Sequence, residues 1–352
     1  MSSSISIDTI LDAAEAHQAS DLFLQEDEVP RLKINEQIML LGEEPITLQH
    51  MIGLWQVCGG KVESDLDRDS GLISHTHVRF RVNLHRTMGR LGAVLRRIKT
   101  DITPMPALGL PVSLLTRWAQ RSFGLILITG PTGTGKSTTI ASLLQWMNMN
   151  LARHVVTIED PVEYIFENQQ CHFTQREVGR DTIDFAHGLR SALRQAPDVI
   201  FVGEIRDYET ALIALQAAET GHLVLSTMHS ERVADTMERF THLFPDDKLN
   251  QGVHLLADQL LGVMCQRLVP KIDGGLQLLV EHLENAGAIR EWIRKRESSQ
   301  IKEHLIRAND PNSMSFLKSA VEACRAGKID ESVASQATGN EAEFKRAMRG
   351  IQ

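Results

Sequence analysis

Cysteine is scarce in this sequence, and its cysteines show no metal-binding arrangement. The four of them, Cys58, Cys171, Cys265 and Cys324, lie far apart, and no Cys-x-x-Cys pair occurs. Zinc sites and disulfide frameworks are usually indicated by closely spaced or regularly paired cysteines. The sequence therefore predicts a reduced, cytoplasmic protein without a zinc site.

The sequence also lacks a membrane segment and an excess of positive charge. It has no run of 18 apolar residues, and its N-terminal residues 1–21 contain no basic region followed by an apolar run. Such runs mark membrane helices and secretory signals. The formal net charge of -8 opposes non-specific attraction to nucleic acid or anionic lipid. We expect no nucleic-acid partner and no direct membrane insertion, so any membrane association would go through other proteins.

Low-complexity tracts and short repeats are missing as well. The 352 residues are 42% apolar and 23% charged, close to the average of globular proteins. A chain of this length accommodates two ordinary domains. Proline interrupts helices and central strands, so Pro104, Pro106 and Pro111 indicate a linker. The predicted segments are an N-terminal domain at 1–99, the linker at 100–112, a second domain at 113–270 and a mainly helical region at 271–352.

The first hundred residues mix helical and strand patterns, which predicts a small α+β domain. A helix is predicted near 7–17, and alternating segments predict strands at 21–24 and 31–34. The segment 78–99 alternates as RFRVNLHR, turns near Gly89 and resumes as GAVLRRIK, which indicates a hairpin. One face of its first strand would carry four polar side chains, those of Arg79, Arg81, Asn83 and His85.

Beyond the linker, apolar strand-like runs alternate with helical patterns. Runs of this kind are typical of strands buried on both faces of a parallel sheet, so the second domain is predicted to be α/β. The runs lie at 125–129, 155–158, 199–202 and 223–227. From about residue 250 onward helical patterns dominate, and we expect the polar residues 339–352 to be frayed.

The strongest chemical signal is the segment GPTGTGKST, which follows a predicted strand and precedes a helical run. Its Gly-x-x-x-x-Gly-Lys-Ser pattern in this context predicts a P-loop that binds ATP and Mg²⁺. Lys136 would reach the β and γ phosphates, and Ser137 would hold Mg²⁺. The alternative is a glycine-rich turn that caps a core helix. The predicted cofactor-binding residues are Gly130, Pro131, Thr132, Gly133, Thr134, Gly135, Lys136, Ser137 and Thr138.

Two other apolar runs end in acidic residues. Glu159 ends VVTIE, and Glu204 ends VIFVGE. A carboxylate at the C-terminal end of a strand in an α/β sheet faces the crevice where ligands bind. We predict that Glu204 positions Mg²⁺ through water, and that Glu163 or Glu159 orients the attacking water. The alternative is that these acids merely end strands at the surface.

With the P-loop, three further segments resemble the secretion-ATPase superfamily, and within it the PilT-type pilus retraction ATPases. They are TIEDPVEY at 157–164, LRQAPDVIFVGEIRDYET at 193–210 and TGHLVLSTMHS at 220–230. The resemblance implies a small PAS-like N-terminal domain, a RecA-like P-loop domain and a C-terminal helical region. It also implies that Glu163 polarises water and that Glu204 serves the metal. His222 and His229 would couple nucleotide state to a neighbouring subunit, whereas without the resemblance each would be a core or capping residue.

The same resemblance implies a homohexameric motor that retracts type IV pili. ATP would bind between the two domains, and hydrolysis would change their relative orientation. The ring would act on a platform protein in the inner membrane, which places it in the cytoplasm, peripheral to that membrane. Extension and secretion members commonly add an N-terminal extension and a tetra-cysteine zinc insertion, which are not expected here. The alternatives are an extension or secretion ATPase, a RecA-like nucleic-acid translocase, or an accessory subunit that binds nucleotide without turnover.

Arginines crowd the hairpin segment, which contains no acidic residue between Val78 and Thr100. They cannot all pair within it, and one interpretation is a set of arginine fingers that neutralise charge on the transferred phosphoryl group. The family resemblance supports Arg81 and Arg96 in this role. A nucleic-acid surface is disfavoured because Phe80 is the only aromatic residue there. The remaining alternative is an exposed strand face with salt bridges between subunits.

The segment AIREWIR at 288–294 resembles the AIRNLIR element of retraction ATPases, with departures at Glu291 and Trp292. We predict that a helical stripe of Ala288 and Trp292, with Ile289 as a further candidate, packs. Arg290 and Arg294 would be exposed for a partner. A further departure is Glu36, where glycine is usual. His75 and His77 could share a strand face, but a third metal ligand is lacking, so no metal besides Mg²⁺ is predicted.

Overall fold

The computed structural model describes residues 6–34, 37–76, 78–98, 101–307 and 312–350. The chain forms two compact units. The first comprises Met1–Thr100 together with Glu163–Ile165, and the second comprises Asp101–Val162 and Phe166–Gln352. Each unit has its own hydrophobic core. Glu36 and His77, which the sequence singled out, lie outside the described residues.

The first unit is an antiparallel sheet with two helices. Its sheet has the strand order β3-β2-β1-β6-β5-β4. The elements are α1 (Ile7–Ala16), β1 (Asp21–Gln25), β2 (Arg31–Ile34), β3 (Gln37–Leu40), α2 (Leu48–Val57), β4 (Asp67–Ile73), β5 (Arg79–Thr87) and β6 (Arg90–Arg97). Helix α1 begins where the Ser6 hydroxyl accepts a hydrogen bond from the Thr9 N–H, which satisfies one of the free N–H groups of the first turn.

The predicted hairpin is confirmed as β5 and β6. Along β5, Phe80, Val82 and Leu84 are fully buried, while Arg79 and Arg81 alternate with them and are partly exposed. Alternation places successive side chains on opposite faces of a sheet. One face of the hairpin therefore supplies the core of the unit, and the other carries the arginines.

The second unit is built on a sheet with the order β14-β13-β12-β7-β11-β10-β8-β9. The four predicted apolar runs are confirmed as strands β7, β8, β10 and β11, which are parallel to their neighbours. The strands are β7 (Gly124–Thr129), β8 (His154–Glu159), β9 (His172–Glu177), β10 (Val199–Val202), β11 (Leu223–Met228), β12 (Leu260–Pro270), β13 (Leu276–Glu284) and β14 (Ser313–Met314). This architecture confirms the prediction of a small α+β unit that is followed along the chain by an α/β unit.

Helices cover both faces of this sheet, as expected for strands without a polar face. Helix α6 begins at an Asp207 cap, whose carboxylate accepts the Thr210 N–H at 2.8 Å. The helices around the parallel strands are α3 (Val112–Ala119), α4 (Lys136–Asn150), α5 (Phe185–Ala192), α6 (Tyr208–Glu219), α7 (Val233–Thr241) and α8 (Leu249–Gln259).

Residues beyond 250 correct the sequence-based prediction of helices. Strands β12 and β13 form a long antiparallel pair, and β12 extends the sheet in parallel beside β7. The run LLGVMC of β12 is almost entirely buried, and periodicity alone cannot distinguish a short buried strand from a buried helix. The P-loop sheet thus continues across this pair.

The C-terminal residues also differ from expectation. Residues 339–352 were expected to be frayed, yet helix α13 contains Phe344, which is fully buried. Phe344 anchors this helix together with Ala347 and Met348, which pack against the same core. A composition average does not reveal these contacts. The C-terminal helices are α9 (Ala288–Lys295), α10 (Ser298–Arg307), α11 (Phe316–Arg325), α12 (Glu331–Thr338) and α13 (Glu341–Met348). Among the described residues, no helix has both the length and the hydrophobicity that a bilayer crossing requires.

Candidate nucleotide-binding site

The parallel strands bring four sequence signals to one edge of the second unit. In the strand register Thr129 of β7 lies beside Met228 of β11, so the P-loop and His229 begin side by side. Strand β10 ends beside β8, which places Glu204 and Glu159 at the same edge. The carboxyl ends of such strands form the ligand crevice of α/β sheets.

The loop between β7 and α4 has the backbone of a phosphate-binding loop. Gly130 has a φ of 147°, and a Cβ atom there would lie 2.6 Å from both the Gln266 carbonyl and the Thr134 hydroxyl. Gly135 has a φ of 85° and begins α4 without a side-chain cap. The first N–H groups of α4 are therefore not taken up by a capping side chain, and groups of this kind bind phosphate.

Lys136 occupies the interior of this loop. Its Nζ donates hydrogen bonds to the Gly130 carbonyl at 2.8 Å and to the Pro131 carbonyl at 2.9 Å. The Thr134 hydroxyl also donates to the Pro131 carbonyl at 2.9 Å. The ammonium group lies at the centre of the loop, where phosphate oxygens would replace the carbonyls as acceptors. Of the other predicted residues, Pro131, Thr132 and Gly133 are exposed, whereas Gly135, Ser137 and Thr138 are half-buried.

Glu204 is the acidic group of the site. Its side chain is only 11% exposed and forms an ion pair with Arg206, which is 65% exposed. The Glu204 Oε2 atom is buried and accepts no hydrogen bond from the described residues, although His229 Nε2 lies 3.4 Å away. A buried carboxylate oxygen without a donor suits a metal-bound water. These residues therefore fit Mg²⁺, with Ser137 and Glu204 as the groups that would hold it.

The pKa of His229 is lowered below its usual value near 6.5. Burial is the main cause, the positive charge of Lys136 adds to it, and the Glu204 carboxylate opposes it. A lowered pKa keeps the imidazole neutral at neutral pH. His229 is therefore a neutral hydrogen-bonding group beside the P-loop.

We expect the Lys136→Ala substitution to raise the pKa of His229 towards, but not to, its usual value. The substitution removes one charge that disfavours the imidazolium, while burial remains. The lowered pKa makes a small stability contribution that is complete above about pH 6.5 and is lost as pH falls through the folded-state pKa. Histidine hydrogen–deuterium exchange, read by mass spectrometry across pH, measures the midpoint. An unchanged midpoint in the variant would show that Lys136 does not act on His229.

The two candidates for orienting water differ in their surroundings. Glu159 is buried, and its Oε1 accepts hydrogen bonds from the Thr157 hydroxyl at 2.7 Å and from Gln175 Nε2 at 3.3 Å. Its carboxylate is thus held by the protein interior. Glu163 is exposed and belongs to the first unit, so the geometry of the P-loop unit leaves its role a prediction.

His222 does not lie with His229. It precedes β11, its carbonyl accepts the Gly124 N–H at 3.1 Å, and its Nδ1 lies 2.9 Å from the Ala217 carbonyl. A strand advances about 3.3 Å per residue, so β11 separates the two histidines by roughly 20 Å. Within one chain His222 is at the edge of the sheet opposite the P-loop, and its predicted coupling role would have to act elsewhere.

The predicted arginine fingers have partners inside the first unit. Arg96 Nε lies 2.8 Å from Asp21 Oδ1, and Arg81 lies 3.9 Å from Asp69. Asp21 faces Arg96 directly across β1 and β6. Neighbouring strands thus supply the acids that the arginine-rich segment lacks. The Arg96 side chain is nevertheless 68% exposed, so the ion pair does not hide it.

Two residues of the site were missed by the sequence analysis. Arg206 pairs with Glu204. Gln266 is buried, donates from Nε2 to the Thr139 hydroxyl at 2.6 Å, and presses its backbone carbonyl against Gly130. The signals in the sequence were an arginine two residues after Glu204, and one glutamine in the middle of an apolar run.

The suspected histidine pair at 75 and 77 has an ordinary explanation for its described member. His75 Nε2 lies 3.4 Å from Asp12 Oδ1 of α1. Within the described residues no three histidine, cysteine or acidic side chains are arranged to hold a metal ion. His75 is therefore assigned to the contact between α1 and the sheet.

Comparison with known proteins identifies the family. Residues 4–309 match the family described as type II/IV secretion system protein. The chain belongs to this family. It is 36% identical to the type IV pilus ATPase PilU of Pseudomonas aeruginosa over 316 residues, which are 88% of this chain and 82% of that protein. It is 38% identical to the type IV pilus retractation ATPase PilT of the same organism over 288 residues, 80% of this chain and 83% of that protein.

Solved structures agree with this assignment. A crystal structure of the pilus retraction motor PilT with bound ADP matches with a TM-score of 0.89 and 36% identity, covering 97% of this chain and 99% of that one. The P-loop, both acidic segments and the histidine segment all lie within the residues that match the secretion-system family. The resemblance inferred from these segments is thus confirmed for the family and for the fold.

Proposed function

We propose that this chain is a motor ATPase that retracts type IV pili. The observation that carries the proposal is the agreement with the retraction motor PilT along nearly the whole chain. The P-loop, with Lys136 inside it and Glu204 beside it, supports ATP as the fuel and Mg²⁺ as its metal. A nucleic-acid translocase has no comparable support.

The residues of the site have separable tasks in this proposal. The open N–H groups of the first turn of α4 bind phosphate, and Lys136 exchanges its two loop carbonyls for phosphate oxygens. Ser137 and Glu204 position the metal, and His229 offers a neutral imidazole next to the transferred group. When bound, Mg²⁺ neutralises charge on the β and γ phosphates. Glu163 or Glu159 orients the attacking water.

The assembly in this proposal is a homohexamer that acts on a platform protein of the inner membrane. Arg81 and Arg96 would neutralise charge on the transferred phosphoryl group. His222, at the far edge of the sheet, would serve the contact with a neighbour. Ring formation converts local changes at each P-loop into movement.

Helix α9 is the proposed output element. Ile289 and Ile293 are its buried residues, and Trp292 packs partly buried against the same core. Ala288, which was expected in this stripe, is exposed. Arg290 is exposed, whereas Arg294 pairs with Asp258 and with Glu291 at 2.6 Å. The two arginines therefore differ, because Arg294 ties α9 to α8 and Arg290 is available for a partner.

We expect Arg290→Ala to abolish twitching while ATP turnover stays within a few-fold of wild type. The change removes an exposed charge without emptying the core, so folding should survive. The measurement combines twitching zones of complemented cells with ATPase rate and ring size of the purified protein. Lys295→Ala, an exposed cation on the same helix, is the control. Normal twitching of the Arg290 variant would exclude a required contact here.

The proposed function is tested by deleting the gene and counting surface pili. Retraction predicts hyperpiliated cells that do not twitch, restored by the wild-type chain. Cells without pili would indicate an extension ATPase instead. A second candidate is a PilU-like pilus ATPase, which the alignment over 88% of the chain favours. Twitching lost without loss of retraction would support it.

A further inference from the structure

Glu204 and Arg206 form an unequal ion pair at the edge of the P-loop site. The acid is 11% exposed and the arginine 65%. The backbone at Glu204 is fixed by β10. Gly203, which joins the end of β10 to Glu204, donates its N–H to the Ile158 carbonyl at 2.7 Å. Arg206 stands in solvent on a long side chain. The Glu204 carboxylate therefore stays in place when the Arg206 side chain moves, and the ion pair can break by movement of Arg206 alone.

A carboxylate with this little exposure needs a compensating positive charge. His229 Nε2 lies 3.4 Å from the other carboxylate oxygen, Oε2, but donates no hydrogen bond to it. The permanent charge beside the carboxylate is the guanidinium of Arg206. Arg206 thus pairs with one oxygen of the acid, while the other oxygen accepts no hydrogen bond from the described residues.

We propose that Arg206 is a positioning residue that holds the Glu204 carboxylate and competes with nucleotide-bound Mg²⁺ for it. The inference rests on the proposed function, since it assigns Glu204 to the metal. An acid needed for a metal is held in one orientation, with its charge balanced by the guanidinium, until the metal arrives. The cost is that the metal must displace the arginine.

The size of the effect follows from the exposure of the arginine. Ion pairs with a solvated partner are weak, so displacing Arg206 should alter the required Mg²⁺ concentration only about three- to fivefold. Removal of Arg206 should therefore allow nucleotide to bind at lower Mg²⁺. This direction is opposite to that expected for an arginine that binds phosphate, whose loss weakens nucleotide binding.

The experiment measures binding of a fluorescent ADP analogue to the full-length protein at increasing free Mg²⁺. We expect Arg206→Ala to lower the half-saturating Mg²⁺ concentration about three- to fivefold, and Arg206→Lys to lower it less. In a Glu204→Gln background, Arg206→Ala should produce no further shift, because the carboxylate for which both cations compete is absent. Arg190→Ala, which breaks the solvent-exposed pair with Glu209 on α5 and α6, is the matched control and should leave the curve unchanged.

Three outcomes would overturn the inference. An unshifted Mg²⁺ curve for Arg206→Ala would show that the ion pair does not resist the metal. Equal weakening of ADP binding with and without Mg²⁺ would assign Arg206 to the phosphates. The same shift in the Glu204→Gln background would show that Arg206 acts through another group. If the wild-type chain binds no ADP at any Mg²⁺ concentration, the proposed ATPase function is wrong, and so is the inference that depends on it. ADP binding by the wild type with any of the three outcomes above would contradict only the inference about Arg206.

Discussion

Lys136→Ala is expected to lower ATP turnover by at least about 10²-fold, the loss seen when a preorganised electrostatic group is removed from a transition state. Lys136 Nζ is the cation inside the P-loop, where it bonds two loop carbonyls. The substitution removes the charge directed at the β and γ phosphates. It also removes the two hydrogen bonds from Lys136 that stabilise the conformation of the loop. Both effects act on the same step.

Steady-state phosphate release by the purified protein measures this effect. Lys345→Ala is the control, because Lys345 is an exposed lysine that pairs with Glu341 on α13, far along the chain from the P-loop. Lys136→Arg separates charge from shape, since a guanidinium keeps the charge but not the compact ammonium geometry. Turnover of Lys136→Ala at the wild-type rate would contradict a P-loop role and would leave only a glycine-rich helix cap.

Local patterns were sufficient to predict the P-loop and the parallel strands from the sequence. The segment 130–138 has its own backbone requirements, and the runs that form β7, β8, β10 and β11 are short and mostly apolar. Parallel order then placed Glu204 and Glu159 at one edge without further information, because residues that follow parallel strands share an edge. These inferences needed only neighbours in sequence and a general rule of sheet topology.

Contacts between residues far apart in the sequence could not be predicted in this way. Asp21 lies 75 residues before Arg96, and only the register of β1 against β6 makes them partners. The β12 run has no period that distinguishes a strand from a helix. His222 and His229 belong to one sequence motif, but strand β11 lies between them and places them at opposite ends of the strand. Sequence spacing describes contacts within an element, whereas these contacts arise between elements.

Arg96→Ala is expected to lower turnover by about 10³- to 10⁵-fold while nucleotide affinity changes little, as for arginine fingers that stabilise the transferred phosphoryl charge. Arg81→Ala should act in the same direction. The structure supplies a competing explanation, because Arg96 also neutralises the buried Asp21 at 2.8 Å. Its loss would leave that acid with the Ser20 hydroxyl, which donates to Oδ2 at 2.8 Å, and so would destabilise the first unit.

Asp21→Asn separates the two explanations, because it breaks the same ion pair and keeps the arginine. If Arg96 is a finger, Asp21→Asn turns over ATP within a few-fold of wild type and Arg96→Ala does not. If Arg96 serves only the fold, both substitutions lower the melting temperature and activity together. Turnover, nucleotide affinity, melting temperature and ring size are measured for each variant. Asp69→Asn is the corresponding variant for Arg81. The Arg81–Asp69 ion pair, at 3.9 Å, has both side chains exposed and adds little stability. Loss of the ring in Arg96→Ala, with normal turnover per assembled subunit, would assign the arginine to contacts between subunits and not to the chemistry.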